Sequence, residues 1–161
     1  MISKHGGSIE EQQAELMRRP SMEEASARYQ EMLARMRDAL TARFPWMQWQ
    51  TSEDVLRSGC AEFDAYKDDL ETQELGIWVA FGTLPEEEWP EAQRIATDIG
   101  ASYGFAPPRV FSTKPGDHHI TALDGFRATW GLSGGNNISL SGNTGCHLPQ
   151  AAKDRIAATG Q

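Results

Sequence analysis

Two cysteines and four histidines carry most of the chemistry that this sequence offers. Cys146 and His147 are adjacent, which invites a thiol nucleophile beside an imidazole base. Neighbours on an extended chain point to opposite sides, so that imidazole is badly placed to take that thiol's proton. Asp117, His118 and His119, with Asp124 and His147, supply oxygen and nitrogen donors of the kind that hold a metal. Adjacent histidines on a strand face opposite ways, and no histidine pair at i, i+2 or i, i+4 is present, so the expectation is exposed hairpin polars and no metal ligand. Glu10, Glu11, Glu23, Glu24, Glu86, Glu87 and Glu88 stand at helix starts. There carboxylates complement the positive end of the dipole, which accounts for them without an acid–base pair. Asp64, Asp68, Asp69 and Glu71 form a denser acidic run whose spacing does not match a calcium loop, and the expectation is a solvated segment. Trp46, Trp49, Trp78, Trp89 and Trp130 fall mostly on buried faces rather than on a stacking platform, with Trp46 and Trp78 the exceptions. Gly134-Gly135 lacks the strand and helix of a phosphate cradle and reads as a hairpin reversal.

The elements that must position these residues follow from periodicity. Ser8-Ile9-Glu10-Glu11 has the form of a capping box and predicts a short helix to about Arg19, with few apolar residues to bury. Ser21-Met22-Glu23-Glu24 opens a longer helix to about Arg43, on which Tyr29, Leu33, Met36, Leu40 and Phe44 share one face with Met32 beside them. Trp46 to Thr51 alternates as a first strand. The stretch from Val55 to Leu70 fits a turn, a short strand and a loop, while Leu75 to Phe81 is an interior strand. Thr83-Leu84-Pro85-Glu86 reads as a third capping box, before a helix to about Tyr103 with Trp89, Ala92, Ala96 and Ile99 on its apolar face. Arg109 to Thr113 and His118 to Leu123 flank Lys114-Pro115-Gly116-Asp117, the composition of a type II turn. Alternation over Phe126 to Leu132 and over Asn137 to Ser141 gives two more strands.

These elements predict an α+β fold, a two-layer sandwich with two amphipathic helices packed on one face of a mainly antiparallel sheet of about five strands. Residues 1–20 read as a flexible lead with a possible short helix, residues 21–148 as a single α+β domain, and residues 149–161 as a C-terminal tail, frayed or weakly helical.

The chain has 161 residues and a net charge of −8, with no basic run that can track phosphates, so nucleic acid is not expected as a partner. No stretch approaches the ~20 apolar residues of a membrane span. Cys60 and Cys146, each flanked by glycine, can form a bridge or remain two buried thiols, the latter favoured in a reducing compartment.

The capped helix at Ser21, the Trp49 strand, Ser58-Gly59-Cys60, the Ile77 to Gly82 strand and the Pro85 to Gly104 helix together resemble the LppA-type lipoproteins of mycobacteria and related actinomycetes. Phe126-Arg127, Asn137-Ile138-Ser139 and Gly142 to Leu148 resemble the last strand pair of that family and its Gly-x-Cys close. The resemblance spans about Pro20 to Leu148. It implies an extracytoplasmic domain, held at the cell membrane by a lipid anchor on a precursor that these residues do not include, with uncharacterised molecular function. In that compartment Cys60 and Cys146 are oxidised, closing a loop of roughly 85 residues and contributing on the order of 4 kcal/mol in the chain-entropy model.

The function expected on this basis is a non-enzymatic binding or interaction module, with no cofactor. Its partner is an envelope protein or cell-wall component, met through one sheet face or the hairpin tips. The alternative is a hydrolase or metal-dependent enzyme using His118, His119 and Asp124, which requires at least two of them to converge in a pocket. A third reading, an intracellular protein with two thiols, fails if Cys60 and Cys146 are bonded.

Overall fold

A computed structural model describes residues 7–51, 55–63, 66 and 70–159. In chain order the elements are α1 (Ile9–Arg18), α2 (Met22–Arg43), β1 (Trp49–Thr51), β2 (Leu56–Gly59) and β3 (Glu71–Phe81). After a 3-10 turn at Glu86–Glu88 come α3 (Trp89–Ser102), β4 (Arg109–Lys114), β5 (Asp117–Leu123), β6 (Thr129–Gly134), β7 (Asn137–Asn143) and α4 (Gln150–Ala158). The seven strands form one antiparallel sheet in the order β1-β3-β7-β6-β5-β4, with β2 pairing β3 beside β1. The α+β sandwich is as expected, with two strands more than the five predicted. Of these, β2 is a short strand of exposed residues in the stretch from Val55 to Leu70, while β3, already expected from Leu75, begins earlier, at Glu71, where polar residues carry no hydrophobic signal.

Both predicted capping boxes at the first two helices form. The Ser8 hydroxyl accepts from Glu11 N and the Ser21 hydroxyl from Glu24 N, and each glutamate returns a bond to its serine amide. The third does not form. No side chain caps α3, which starts at Trp89 after the 3-10 turn, because the Glu86 carboxylate is engaged by the β4–β5 hairpin.

The stripe on α2 is buried as predicted, with Met32, Leu33, Met36 and Leu40 at most 1% exposed. It lies with Trp89 and Ala96 of α3 on one sheet face, against Ala80, Ile120, Trp130, Leu132, Ile138 and Leu140. Close approach sets two glycines. A Cβ on Gly100 of α3 would lie 2.4 Å from Trp130 Nε1, and one on Gly142 of β7 would lie 3.0 Å from a Leu33 methyl. A second apolar cluster sits at one end of the sheet, where Leu16 of α1 and Ala152 and Ile156 of α4 meet Phe63, Cys146 and Leu148. The segments read as lead and tail therefore contribute docked helices: Met22 N donates to Leu148 O, and the Glu23 carboxylate accepts from Gln150 N at the start of α4.

Candidate functional site

The hairpin that carries His118 and His119 turns at Gly116, whose φ of 78° suits the left-handed turn position. Alternation on β5 sends His118 to the helix side and His119 to the other. His118 is buried, stacked on Trp89 with ring centroids 4.5 Å apart, and its Nε2 lies 2.7 Å from Glu86 Oε1. Glu86 also accepts from Gly116 N, so the pair latches the hairpin tip to the entry of α3. The His118 bond holds the Glu86 carboxyl below its ordinary pKa. His119 is exposed, stacked on Phe111 and 3.1 Å from Thr121 Oγ1.

Asp124 begins the β5–β6 turn instead of joining the histidines. Its Oδ1 accepts from Phe126 N and Ala128 N at 2.8 and 2.9 Å, and its Oδ2 accepts from the Tyr29 hydroxyl. Burial, then the Asp124 carboxylate, pushes the Tyr29 hydroxyl pKa upward. The three residues of the hydrolase reading are thus in three different settings, and no cluster of three or more metal-ligating residues occurs among the described residues.

Cys60 and Cys146 are bonded, with Cα atoms 5.9 Å apart, so the Cys146 sulfur is no nucleophile for His147. His147 is fully buried. Its Nδ1 donates to Pro20 O at 2.9 Å, its ring meets Phe126 edge-on, and its Nε2 has no hydrogen-bond partner among the described residues. Burial holds its pKa below the usual histidine value.

Beside the bridge lies a charged arrangement that sequence reading did not single out. The buried Arg19 guanidinium donates to Glu62 at 3.0 and 3.3 Å and to Cys146 O at 3.0 Å, between the rings of Phe63 and Phe126. Arg127 approaches the same carboxylate at 3.6 Å. Its neighbours bound a cavity of about 630 Å³, between the ends of β2 and β3 and the β5–β6 turn, with Cys146, Leu123, Gln73, Thr129 and Asn143 in its walls. No local signal joins Arg19 to Glu62, which is 43 residues away.

The cavity opens at one end of the sheet face that carries no helix among the described residues. Across its middle strands Ile77 pairs with Ser141, Ser141 with Gly131, and Gly131 with Thr121. The next row runs from Val79 through Ser139 and Ser133 to His119. No carboxylate, lysine or arginine stands in these two rows. Phe81 and Phe111 flank them at 60% exposure each.

The remaining sequence candidates are structural or lie elsewhere. Glu11 and Glu24 cap helices, and Glu88 pairs with Arg43. Glu71 lies in β3, whereas Asp64, Asp68 and Asp69 fall outside the described residues. Trp89 and Trp130 are core, Trp49 and Trp78 are half-buried, Trp46 is exposed, and Gly134-Gly135 lies at the β6–β7 reversal.

A family model described as LppA, a lipoprotein confined to pathogenic Mycobacterium, matches residues 3–150. The crystal structure of LppA from Mycobacterium tuberculosis is similar in fold, with a TM-score of 0.72 at 17% identity, over 87% of this chain and 85% of that one. A DUF4853 family protein from Actinomyces odontolyticus is similar with a TM-score of 0.62 at 14% identity, over 82% of this chain and 71% of that one. No curated protein matches the chain.

Proposed function

We propose that this chain, which belongs to the LppA family of lipoproteins, is an extracytoplasmic binding domain with no catalytic site of its own. It holds an envelope protein or cell-wall component against the helix-free face of its sheet. The observation that carries this reading is the composition of that face. In a chain of which 24% of residues are charged, two consecutive cross-strand rows of four residues contain only small, hydroxylated or apolar side chains and one histidine. Phe81, Phe111 and Leu123 are exposed around them. Depletion of charge at the centre with aromatics beside it is the compositional mark of a protein-binding surface, because charged groups there would have to be desolvated. The absence of convergence among His118, His119 and Asp124 removes the support that the hydrolase reading required.

The test is site-specific photo-crosslinking in the intact envelope. A photoreactive residue at Ser139, in the middle of the face, is expected to give a discrete adduct. The same residue at Asp38, on the solvent side of α2, is expected to give none. Equal labelling from both positions, or none from Ser139, would reject the face as the binding surface.

A further inference from the structure

β4 forms one edge of the sheet, paired with β5 on one side and with no strand on the other among the described residues. Alternate residues of such a strand point their N–H and C=O groups outward, which makes a template for another chain. All of its residues except Ser112 are exposed, Val110 at 62% and Phe111 at 60%. Val110 stands opposite the buried Ile120, on the helix side of the sheet, yet is left uncovered. Phe111 is the extra residue of a bulge between Val110 and Ser112 and stacks on His119, which belongs to the other face.

Arg109 and Lys114 stand at the two ends of this edge. Neither side chain makes an ion pair, a hydrogen bond or a ring contact among the described residues, in a chain of net charge −8 where Arg18, Arg19, Arg43, Arg57 and Arg94 are all ion-paired. Asp117, opposite Lys114 in register, turns its carboxylate to the Ser112 hydroxyl instead, at 2.8 Å. A bulge and terminal cations are the ordinary guards of an edge against its own copy. An antiparallel copy would set each Arg109 against the other's Lys114, and a parallel copy would set each cation beside its like. The same two charges attract a strand that carries carboxylates in those places.

We propose that β4 takes an extended segment of a partner protein as a further strand, apolar at its centre and acidic at both ends, and that Arg109 and Lys114 receive its carboxylates. The backbone ladder supplies the pairing, Val110 and Phe111 supply apolar contact on the two sides of the sheet, and the cations supply the choice of partner. The edge adjoins the binding face proposed above and does not rest on it: crosslinking at Ser139, on β7, reports on that face, and the titrations below report on β4 alone.

The experiment titrates the folded, oxidised protein at low salt with three end-blocked peptides of equal length, Glu-Val-Thr-Val-Thr-Glu, Lys-Val-Thr-Val-Thr-Lys and Glu-Val-Pro-Val-Pro-Glu, following the backbone amides of Val110, Phe111 and Thr113 by NMR. The first is expected to shift these amides saturably, and the second to bind at least tenfold more weakly, since two attractions become two repulsions. The third keeps the charges but has no N–H at its prolines to join a ladder, and is also expected to bind at least tenfold more weakly. In the double variant Arg109→Glu, Lys114→Glu the preference is expected to invert, the Lys-ended peptide binding at least tenfold more tightly than the Glu-ended one. Both positions are exposed, and a gain of binding cannot come from misfolding. The proposal is overturned if the Glu-ended peptide leaves the β4 amides unmoved, if either of the other peptides binds as well, or if the double variant keeps the parent's preference. It is overturned equally if the β4 amides shift with protein concentration alone, which would make a second copy of this chain the occupant.

Discussion

Pro20 offers His147 only a carbonyl oxygen, so the ring must carry its hydrogen on Nδ1, and Nε2 is left as a buried acceptor. Protonating Nε2 would place a charge in a site fully closed to water, which is why burial lowers the pKa. The sign of the linkage follows. Below about pH 6.5 the unfolded chain takes up a proton at this residue and the folded chain does not, so stability falls as pH drops through that value toward the lowered folded pKa. Glu86 adds a separate and lower window: its folded pKa is depressed, so its contribution is present above the ordinary carboxylate value and is lost as pH falls through the folded one. His147→Phe keeps a ring against Phe126 but removes the titration and the bond to Pro20. It is expected to lie within about 1 to 2 kcal/mol of the parent at pH 7.5 and to lose less stability than the parent between pH 7.5 and 5.5. Denaturant titrations at both values check this, and parallel losses would show that His147 is not the sensitive group. From sequence, Cys146 and His147 were legible as neighbours badly placed to act together. What fixes each of them, Cys60 and Pro20, lies more than 80 residues away.

Among the elements, α2 was the most legible, because its signals are all local: a serine, a glutamate three residues on, and apolar residues at helical spacing. The packing partner was not legible, since Gly142 tells nothing by itself of the leucine above it. Leu33 lies so close over Gly142 that the helix rests directly on β7. Leu33→Ala should therefore leave a cavity between the layers and cost about 2 to 5 kcal/mol, seen as a lower denaturation midpoint with an unchanged slope; an unchanged midpoint would remove α2 from the core. The start of α3 illustrates the opposite case. Thr83 to Glu86 has the letters of a capping box, but a glutamate can serve one geometry at a time, and the Gly116 amide and the His118 ring, 30 and 32 residues on, take it. The polar first half of β3 was missed for a related reason. Its first four residues, Glu71 to Glu74, are all polar and pair with the exposed strand β2, which leaves no hydrophobic alternation to read. The cavity wall was equally illegible, because it is assembled from the ends of β2, β3, β5 and β7, and strand order is not written in any one of them.

At the scale of the whole molecule the chain folds around two apolar clusters, one between the helices α2 and α3 and the sheet, the other around the Cys60–Cys146 bridge where α1 and α4 dock. The first is large, and its buried strand residues come from β3, β5, β6 and β7. Among the described residues the second contains eight buried ones and draws on four separate parts of the chain, so its assembly leans on the covalent link that restricts the unfolded state. The bridge spans 86 residues, and in the chain-entropy model its removal costs about 4 kcal/mol, a large share of the 5 to 15 kcal/mol that holds an ordinary domain together. Opening the bridge also loosens Cys146, whose carbonyl accepts from Arg19, and with it the wall that Arg19 and Glu62 make. The double variant Cys60→Ser, Cys146→Ser is therefore expected to fold with a lower midpoint and to separate the two clusters in hydrogen exchange. Amides of α1 and α4 should lose protection well before those of β5, β6 and β7, since local openings cost least where few buried contacts hold an element. Uniform loss across all elements would mean that the clusters unfold as one unit and that the bridge stabilises the sheet as directly as it does the terminal helices.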